Sequence, residues 1–391
     1  MDAKTFQNHL EEQLIPFWNR MEDVEKGGFF GYADAEGIPD RSSNKSCILN
    51  SRILWFYAAS YNLLQKPELL EKADHAFLFL KNYFYDSRYE GVFWSVQSDG
   101  MPLDTTKHTY NMAFAIYALS EYYVASKEKE ALHLAYSLYH TIENKCRDEN
   151  GYFEAFNREF IPVGNEKLSE NGVNAQRTMN TLLHIMEAYT ELYRADRFYQ
   201  VGDSIREILR IFKSRIYNEN EEICEVFFDK EYQSLIHLES YGHDIEASWL
   251  IQRACEVLAD KAYYEEMLPM IEGLAQGAYN NGLDKQKHAM NDECENGTVN
   301  AKKVWWIQAE AVTGFYNAYQ MQPQKTFYRT VSEQIWSYIQ KYVIDKETGE
   351  WIEDITPDNR IQPGQALVHP WKCPYHNGRM CIEMIRRLSC N

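Results

Sequence analysis

Apolar residues recur at three- and four-residue steps along most of the chain, with polar residues between them. Clear examples are ILNSRILWFYAASYNLL from residue 48, TYNMAFAIYALSEYYVAS from residue 109 and QAEAVTGFYNAYQ from residue 308. This period predicts amphipathic α-helices. We place twelve helices at about 4–21, 46–63, 67–84, 106–126, 128–146, 174–196, 197–214, 242–260, 262–281, 301–321, 325–343 and 373–389.

The connections between these helices alternate in length. An even-numbered helix leads to the next through a few residues, such as 65–68 or 126–129, whereas an odd-numbered helix is followed by a loop of roughly twenty to thirty residues. The long loops resemble one another, because each joins a polar turn to an aromatic, strand-like run. Examples are EKGGFFGY, DSRYEGVFW, RDENGYFEAF, NENEEICEVFF and DKETGEWIEDI. Their glycine turns near Gly28, Gly91, Gly151 and Gly349 fit a repeat of about 60–65 residues with two degenerate copies.

Six helical hairpins can stack as an open solenoid or close into a ring. The even-numbered helices are the more aromatic and the more evenly apolar set, as an inner ring must be, so we favour closure. The predicted fold is all-α, an (α/α)6 barrel of six helical hairpins with short strand-like hairpins in the long loops at the active-site mouth. No Gly/Ser/Pro linker divides the chain, so we predict a single domain over 1–391.

The composition limits the function classes. Hydrophobic residues make up 45% and charged residues 25% of the chain, and the formal net charge of −18 argues against a nucleic-acid surface. No apolar run is long enough for a membrane helix, and the N-terminus lacks a secretion signal, so we expect a cytoplasmic protein. In that compartment cysteines are reduced. The eight cysteines are scattered, at positions 47, 146, 224, 255, 294, 373, 381 and 390.

Candidate chemistry is concentrated at the starts of the even-numbered helices. In a barrel of this kind the inner helices run the same way, so their N-terminal turns converge at one mouth. Residues three or four apart share a helix face there. The candidates are Arg52; Tyr110 and Phe114; Asn180 and His184; His243 and Glu246; Trp306 and Glu310; and His376 and Arg379, with Trp371 just before them.

Each candidate also has a purely structural interpretation. A lone histidine on an apolar helix face is more often structural, which leaves His184 open, and we assign that role to His75, His133 and His140. The same interpretation is weak for His243 and His376, since each heads an inner helix beside a glycine and further polar groups. Arg52 on an inner face needs a partner, either Glu246 or Glu310, or a ligand oxygen.

Motifs for metals and nucleotides are not supported. Cys373, His376 and Cys381 invite a zinc site, but a structural site needs four well-spaced ligands and no second pair has matching spacing. The sequence has neither a phosphate-binding P-loop nor a dinucleotide-binding glycine motif, and no GxSxG elbow. We therefore expect neither a cofactor nor a metal.

Several blocks of the sequence resemble a known family. They are IPFW at 15–18, ILNSRILWF at 48–56, RYEGVFWSV at 88–96, LSENGV at 168–173, TMNTLLHIMEAYT at 178–190, SYGHDIEASWL at 240–250 and WKCPYHNGRMC at 371–381. These blocks run nearly end to end and are similar to the cellobiose 2-epimerases of the N-acylglucosamine 2-epimerase superfamily. The segment 282–300 matches poorly.

The resemblance implies an (α/α)6 barrel that works without metal or nucleotide, and it makes His243 and His376 the acid/base pair. It makes the other candidates substrate-binding or supporting residues: Arg52, Tyr110, Asn180, His184, Glu246, Trp306, Glu310, Trp371 and Arg379. We place Phe114 with them because it shares a helix face with Tyr110. The expected substrate is a β-1,4-linked disaccharide, cellobiose and also lactose, with carbon 2 of its reducing-end glucose inverted.

The expected mechanism opens the sugar ring and passes through an enediolate, with one histidine on each face of carbon 2. We expect Arg52 and His184 to stabilise the oxyanion. Glu246 and Glu310 would orient the imidazoles, and Trp306 and Trp371 would offer apolar faces to the sugar.

Other functions stay open at this point. An N-acylglucosamine 2-epimerase or an aldose–ketose isomerase would use the same barrel, and a glycoside hydrolase would use Glu246 and Glu310 as its two carboxylic acids. A non-catalytic sugar-binding protein would not need two histidines. The only predicted partner is a small oligosaccharide, with no nucleic acid and no membrane, and we expect a monomer.

Overall fold

The computed structural model describes residues 1–165, 167–168 and 171–389. Cys390 and two residues of the LSENGV block lie outside these ranges. Five of the helices contain a π-helical stretch, which we count as part of the helix. The helices are α1 (Ala3–His9, Leu10–Leu14 and Ile15–Asn19), α2 (Cys47–Leu64), α3 (Pro67–Phe79 and Leu80–Phe84), α4 (Thr109–Ser126), α5 (Lys129–Lys145), α6 (Met179–Asp196), α7 (Tyr199–Ile211 and Phe212–Ile216), α8 (Tyr241–Leu258), α9 (Lys261–Gly277 and Ala278–Gly282), α10 (Trp305–Met321), α11 (Phe327–Tyr338 and Ile339–Val343) and α12 (His376–Ser389).

Burial separates these helices into two sets. The even-numbered helices are buried on nearly every side, as in α2, where every residue from 47 to 60 is buried. The odd-numbered helices bury only a stripe, as in α5, where Ala131, Ala135, Leu138 and Ile142 face inward at three- and four-residue steps. The even-numbered helices therefore form the inner layer, as the apolar pattern predicts.

The inner layer closes into a ring. Each even-numbered helix packs against the next, and α12 returns to pack against α2, while α1 covers α12 from outside. Hydrogen bonds tie the two ends of the chain together, since Trp18 Nε1 donates to Glu350 Oε2 at 2.6 Å and Trp351 Nε1 donates to His9 Nε2 at 2.8 Å. The result is the predicted (α/α)6 barrel. Among the described residues, no helix has the length and apolar character needed to cross a membrane.

The long loops form small antiparallel sheets beside the N-terminal ends of the inner helices. Most strands have only two or three residues, and each inner helix from α2 to α10 follows directly after one. The strands are β1 (Lys45–Ser46), β2 (Ser95–Val96), β3 (Pro102–Asp104), β4 (Lys107–His108), β5 (Ala155–Phe156), β6 (Arg177–Thr178), β7 (Tyr217–Asn218), β8 (Ile223–Cys224), β9 (Phe227–Phe228), β10 (Leu238–Ser240), β11 (Leu283–Asp284), β12 (Ala289–Met290), β13 (Glu293–Glu295), β14 (Thr298–Asn300), β15 (Lys303–Val304) and β16 (Asp354–Ile355).

These strands explain where the predicted helix starts were wrong. Helices α4, α6 and α10 begin three to five residues later than predicted, because the residues before them are extended and pair with the next loop. Helix α12 begins at His376 rather than 373, because the residue before a proline, here Pro374, is disfavoured in the helical conformation. Periodicity alone does not reveal these boundaries.

A buried ion pair recurs where the chain enters the inner helices. Each pair joins a cation just before the helix to a carboxylate in the preceding loop, and the cations are almost completely buried. The pairs are Lys45–Asp23 at 2.7 Å, Lys107–Asp86 at 3.0 Å, Arg177–Asp148 at 2.8 Å, Lys303–Asp284 at 3.2 Å and Lys372–Glu350 at 2.8 Å. The entrance to α8 differs, because Glu239 stands at the cation position and Asn218 at the carboxylate position.

Candidate active site

The N-terminal ends of the inner helices enclose a cavity of about 320 Å³. Most of the predicted site residues line it: Arg52, Tyr110, Asn180, His184, His243, Glu246, Trp306, Trp371 and His376. Phe114, Glu310 and Arg379 are buried and do not line the cavity, so any role they have is exerted through other residues.

His376 is held by a carboxylate. Its Nδ1 donates to Glu310 Oε1 at 2.7 Å, and the other oxygen of Glu310 accepts from Trp249 Nε1 at 3.0 Å. Because Nδ1 is engaged, Nε2 is the nitrogen left for a ligand in the cavity. Burial, together with the positive charges of Arg379 and Arg52, holds the pKa of His376 well below its ordinary value.

Arg379 links three buried carboxylates. Its Nη2 donates to Glu310 Oε1 at 2.7 Å and also to Glu246, while its Nη1 donates to Glu187 and to the hydroxyl of Tyr375. All of these groups are buried. A guanidinium in this position compensates carboxylates that would otherwise be costly to bury together.

His184 belongs to the same cluster. Its Nδ1 donates to Glu187 Oε2 at 2.8 Å, and the Tyr375 hydroxyl donates to Glu187 at 2.6 Å. Burial alone would raise the pKa of Glu187, but the charge of Arg379 and the hydrogen bond from His184 lower it to about 2. Glu187 is therefore an anion that holds His184 through Nδ1. In the described structure Nε2 of His184 has no hydrogen-bond partner.

His243 has an uncharged partner. A hydrogen bond of 2.7 Å joins its Nδ1 to the Ser240 hydroxyl, and its ring lies against Trp306 with 4.8 Å between centroids. Burial, with a smaller contribution from His184, lowers the pKa of His243 to about 3. The imidazole is therefore neutral at neutral pH.

Trp306 packs against both of the predicted catalytic histidines. Its ring contacts His243 at 4.8 Å and His376 at 5.3 Å between centroids. The two imidazoles are thus no more than about 10 Å apart and line one cavity. Both histidines can therefore reach one bound sugar ring.

The carboxylate partners predicted for Arg52, namely Glu246 and Glu310, are wrong. Its Nη2 donates to the Tyr110 hydroxyl at 2.8 Å and its Nη1 to Cys373 Sγ at 3.8 Å, while its guanidinium lies over the ring of Phe114 at 4.1 Å. Neither Glu246 nor Glu310 reaches it, because Arg379 engages both. Among the described side chains Arg52 has no carboxylate partner, and its Nε has no hydrogen-bond partner. A cation without a counter-charge at a cavity wall can receive an anionic oxygen.

We expected Glu246 and Glu310 to orient the two imidazoles, but Glu246 makes no hydrogen bond to His243 in the described structure. Its Oε1 accepts from Arg379 and lies 4.0 Å from Nδ1 of His376, while its buried Oε2 has no hydrogen-bond partner in the described structure. Burial and the negative charge of Glu310 raise the pKa of Glu246 to about 8. We therefore assign this carboxyl a proton at neutral pH.

One group of donor atoms has the composition of a metal site. Ligand atoms of Glu246, Glu310 and His376 lie within 4.8 Å of one another. However, the guanidinium of Arg379 bonds both carboxylates, and Nδ1 of His376 donates to one of them. A metal ion would have to displace these donors, so the residues present do not fit one.

Sequence reasoning missed several residues in or behind the site, among them Glu187, Ser240, Trp249 and Tyr375. A signal existed for Glu187, which follows His184 by three residues as Glu246 follows His243. Ser240 falls just outside the predicted helix 242–260. Trp249 and Tyr375 look like core aromatics, and only the folded barrel brings them to the carboxylates.

Comparison with known proteins agrees with this architecture. The sequence model of the N-acylglucosamine 2-epimerase (GlcNAc 2-epimerase) family matches residues 28–377 of the chain. The chain belongs to this family.

Relatives within the family share the whole length. The chain is 45% identical to a cellobiose 2-epimerase of Eubacterium cellulosolvens, with 99% of this chain and 98% of that protein covered. It is 46% identical to a cellobiose 2-epimerase of Ruminococcus albus, with 99% of each covered. The crystal structure of a sugar epimerase from a ruminal bacterium superposes with a TM-score of 0.96 at 44% identity, covering 98% of both chains. The chain is thus an isomerase of the epimerase type.

Proposed function

We propose that this enzyme is a sugar 2-epimerase that inverts carbon 2 of the reducing-end glucose of a β-1,4-linked disaccharide. Cellobiose would become glucosyl-mannose, and lactose would be a second substrate. The observation that carries this proposal is the pair of histidines that line one cavity and both pack against Trp306. Each has its Nδ1 engaged and its Nε2 left for the sugar. The full-length similarity to cellobiose 2-epimerases supports the substrate class.

The reaction needs a base and an acid on opposite faces of carbon 2. Ring opening exposes the carbonyl at carbon 1, which acidifies the neighbouring C–H bond. One imidazole takes that proton, the electron pair forms the C1–C2 double bond, and the carbonyl oxygen becomes an oxyanion. The other imidazole then gives a proton to the opposite face of carbon 2, and the carbonyl re-forms.

The electrostatics of the site supply both forms. His243 is neutral, because its pKa is lowered to about 3 by burial, so it serves as a base without losing a proton first. The second proton is stored in the buried cluster, where Glu246 has a pKa of about 8 and lies 4.0 Å from Nδ1 of His376. When His376 is the acid, its ring carries the proton on Nε2; as that proton goes to carbon 2, Nδ1 takes a proton from the carboxyl pair Glu246 and Glu310, so the ring ends neutral with Nδ1–H and one carboxyl becomes ionised. The histidines exchange roles when the reaction runs backward.

Several cavity residues would bind the changing charge and the sugar. Arg52 has a partly unsatisfied guanidinium in the cavity wall and is placed to stabilise the enediolate oxygen, with His184 beside it. The buried Oδ1 of Asn180 is also without a partner in the described structure and can accept from a sugar hydroxyl. Trp371 lies against Tyr110 at 6.0 Å between centroids and offers an apolar face to the second sugar unit.

The hydrolase alternative fits the site poorly. A glycosidase needs two carboxyl groups flanking the scissile bond. Both oxygens of Glu310 are engaged, by His376 and Arg379 on one and Trp249 on the other, and the residue does not line the cavity. An N-acylglucosamine 2-epimerase or an aldose–ketose isomerase would use the same histidines, so product analysis must separate these. A monomeric state and a cytoplasmic location stay predictions.

The deciding experiment incubates the enzyme with cellobiose in heavy water and follows carbon 2 by NMR. We expect glucosyl-mannose to form, with deuterium at carbon 2. Free glucose would indicate hydrolysis, a ketose would indicate isomerisation, and unchanged cellobiose would contradict the proposal. His243→Asn and His376→Asn should each lower kcat by about a thousandfold, within the range known for acid–base groups.

A further inference from the structure

Ser240 occupies a helix-capping position without capping the helix. It is the residue just before α8, where a serine or threonine usually accepts from the backbone N–H three residues on. Ser46 does this before α2, accepting from Leu49 N at 3.2 Å, and Thr178 does it before α6, accepting from Thr181 N at 3.0 Å. Ser240 makes no such bond.

The Ser240 hydroxyl instead contacts a side chain. The residue three positions on is His243, and the hydroxyl lies 2.7 Å from its Nδ1. Ser240 is buried and His243 is partly buried, and no other hydrogen-bond or ion-pair partner of the His243 ring is present in the described structure. A capping bond worth about one hydrogen bond of helix stability has been given up for this contact.

A loop hairpin fixes the backbone of Ser240. Ser240 ends β10, which pairs antiparallel with β13 so that Ser240 lies opposite Glu293. Strand β14 extends the same sheet. Among the described residues the α8 entrance has no counterpart of the buried ion pairs at the other five entrances, and the strand that carries Ser240 is paired with β13.

We propose that Ser240 is the positioning residue of His243, and that the hairpin Glu293–Asn300 holds Ser240 in place. This inference rests on the proposed epimerase function. The serine oxygen accepts from Nδ1–H, which fixes the tautomer with the Nε2 lone pair available to carbon 2. The same acceptor serves after Nε2 has taken a proton. The hydroxyl therefore supports both states of the ring without exchanging a proton with it.

The test compares two serine-to-alanine variants of the full-length enzyme. Ser240→Ala and Ser46→Ala each remove one hydrogen bond at the start of an inner helix, so both should raise the unfolding equilibrium constant by a similar factor, about fivefold. Only Ser240→Ala should lose activity, with kcat for cellobiose lower by about tenfold and KM nearly unchanged. Wild-type kcat in Ser240→Ala, or an equal loss in Ser46→Ala, would overturn the inference.

Two further readouts separate positioning from general damage. Ser240→Thr keeps the hydroxyl on a residue suited to a strand, so its kcat should return to within about threefold of wild type. A value as low as that of Ser240→Ala would argue against us. In heavy water, Ser240→Ala should slow only transfers through His243. The epimer that His376 deprotonates should keep exchanging its carbon-2 hydrogen while conversion to the other epimer falls. An equal loss of exchange in both epimers would also overturn the inference.

Failure of the proposed function has a different signature. A wild-type enzyme that does not convert cellobiose at all would refute the epimerase assignment itself. An active wild type with an unimpaired Ser240→Ala variant would refute only the role of the serine.

Discussion

The two histidines beside Trp306 have neighbours of different kinds. His376 donates to Glu310, and through Arg379 it is connected to Glu246 and Glu187, so it belongs to a buried network of charges. His243 contacts a serine hydroxyl and an indole ring, both uncharged. In the proposed mechanism the first side stores and passes a proton, whereas the second presents a neutral base.

The sequence motifs on the two sides conceal this difference. His184-Ile-Met-Glu187 and His243-Asp-Ile-Glu246 have the same spacing on two inner helices. In the first motif the imidazole and the carboxylate form a 2.8 Å bond. In the second they turn apart, because Ser240 engages His243 and Arg379 engages Glu246. A change in the charged network should therefore affect several groups, and a change beside His243 should act locally.

The largest effect is expected from Arg379→Met, which removes the cation shared by Glu187, Glu246 and Glu310. Breaking a buried ion pair on one side typically costs about 3–5 kcal/mol, so the free energy of unfolding should fall by that much. Activity should fall by about a thousandfold or more, since Glu310 and Glu187 lose the cation that holds them beside His376 and His184. Denaturant unfolding and initial rates measure both effects.

Arg158→Met is the matched control for that variant. Arg158 is 38% exposed and pairs with Asp86, which keeps its second partner Lys107 at 3.0 Å. Its loss should cost less than about 1 kcal/mol and leave kcat unchanged. If Arg379→Met were no worse than this control, the charged network would not hold the His376 side together.

Glu310→Gln should have the next largest effect. The amide keeps the size of the side chain but removes the negative charge beside His376 Nδ1, 2.7 Å away. Glutamine can neither accept a proton from Nδ1 nor supply one to it, so we expect kcat to fall by about a hundredfold. Steady-state kinetics with cellobiose test this, and a rate within threefold of wild type would show that His376 does not depend on its carboxylate.

The residues that the sequence placed correctly and those it missed differ in kind. The barrel followed from periodicity, because an inner helix must be apolar all round, and the cavity residues followed from their positions in first turns of inner helices. Contacts across the ring did not follow. Arg52 donates to Tyr110 and Cys373 and not to a carboxylate, because Glu246 and Glu310 are bonded to Arg379. Which residue bonds which across five helices depends on side-chain directions that spacing along one helix does not encode.

The pH dependence of the rate tests where the reserve proton is stored. Burial and Glu310 raise the pKa of Glu246 to about 8, so its carboxyl is protonated below that pH and ionised above it. We expect kcat to fall above pH 8 and to be about tenfold lower one unit higher. A plateau from pH 7 to pH 10 would place the proton elsewhere.

The same carboxyl has a defined effect on stability. Its pKa is raised from an ordinary value of 4.5 to about 8 in the folded protein. Its contribution to the free energy of unfolding is therefore present below pH 4.5 and is lost as the pH rises through 8. His243 has the opposite sign, because its pKa is lowered from 6.5 to about 3. Its contribution is present above pH 6.5 and is lost as the pH falls through 3. Melting temperatures measured between pH 3 and pH 9 should fall at both the acid and the alkaline end of this range.

The smallest effect on activity is expected from Asp244→Asn, next to His243. Asp244 is buried and accepts from Cys224 N at 2.8 Å, a task that the neutral amides of Asn50 and Gln308 perform on other inner helices. Burial and the charge of Glu239 raise the pKa of Asp244 well above its ordinary value, which favours the protonated carboxyl in the folded protein. Asparagine reproduces the accepting oxygen, and kcat should stay within about twofold, under half a kcal/mol in the barrier.

Stability should nevertheless respond to that variant. The unfolded chain loses the Asp244 proton once the pH passes the ordinary value of 3.8, whereas the folded chain retains it, so the wild type loses stability as the pH rises. Asp244→Asn removes this loss, and its melting temperature should exceed that of the wild type by more at pH 8 than at pH 5. Asp203→Asn, at an exposed site, should show no such trend. A large fall in kcat for Asp244→Asn would mean that the His243 side depends on a charge after all, and the contrast between the two histidines would be lost.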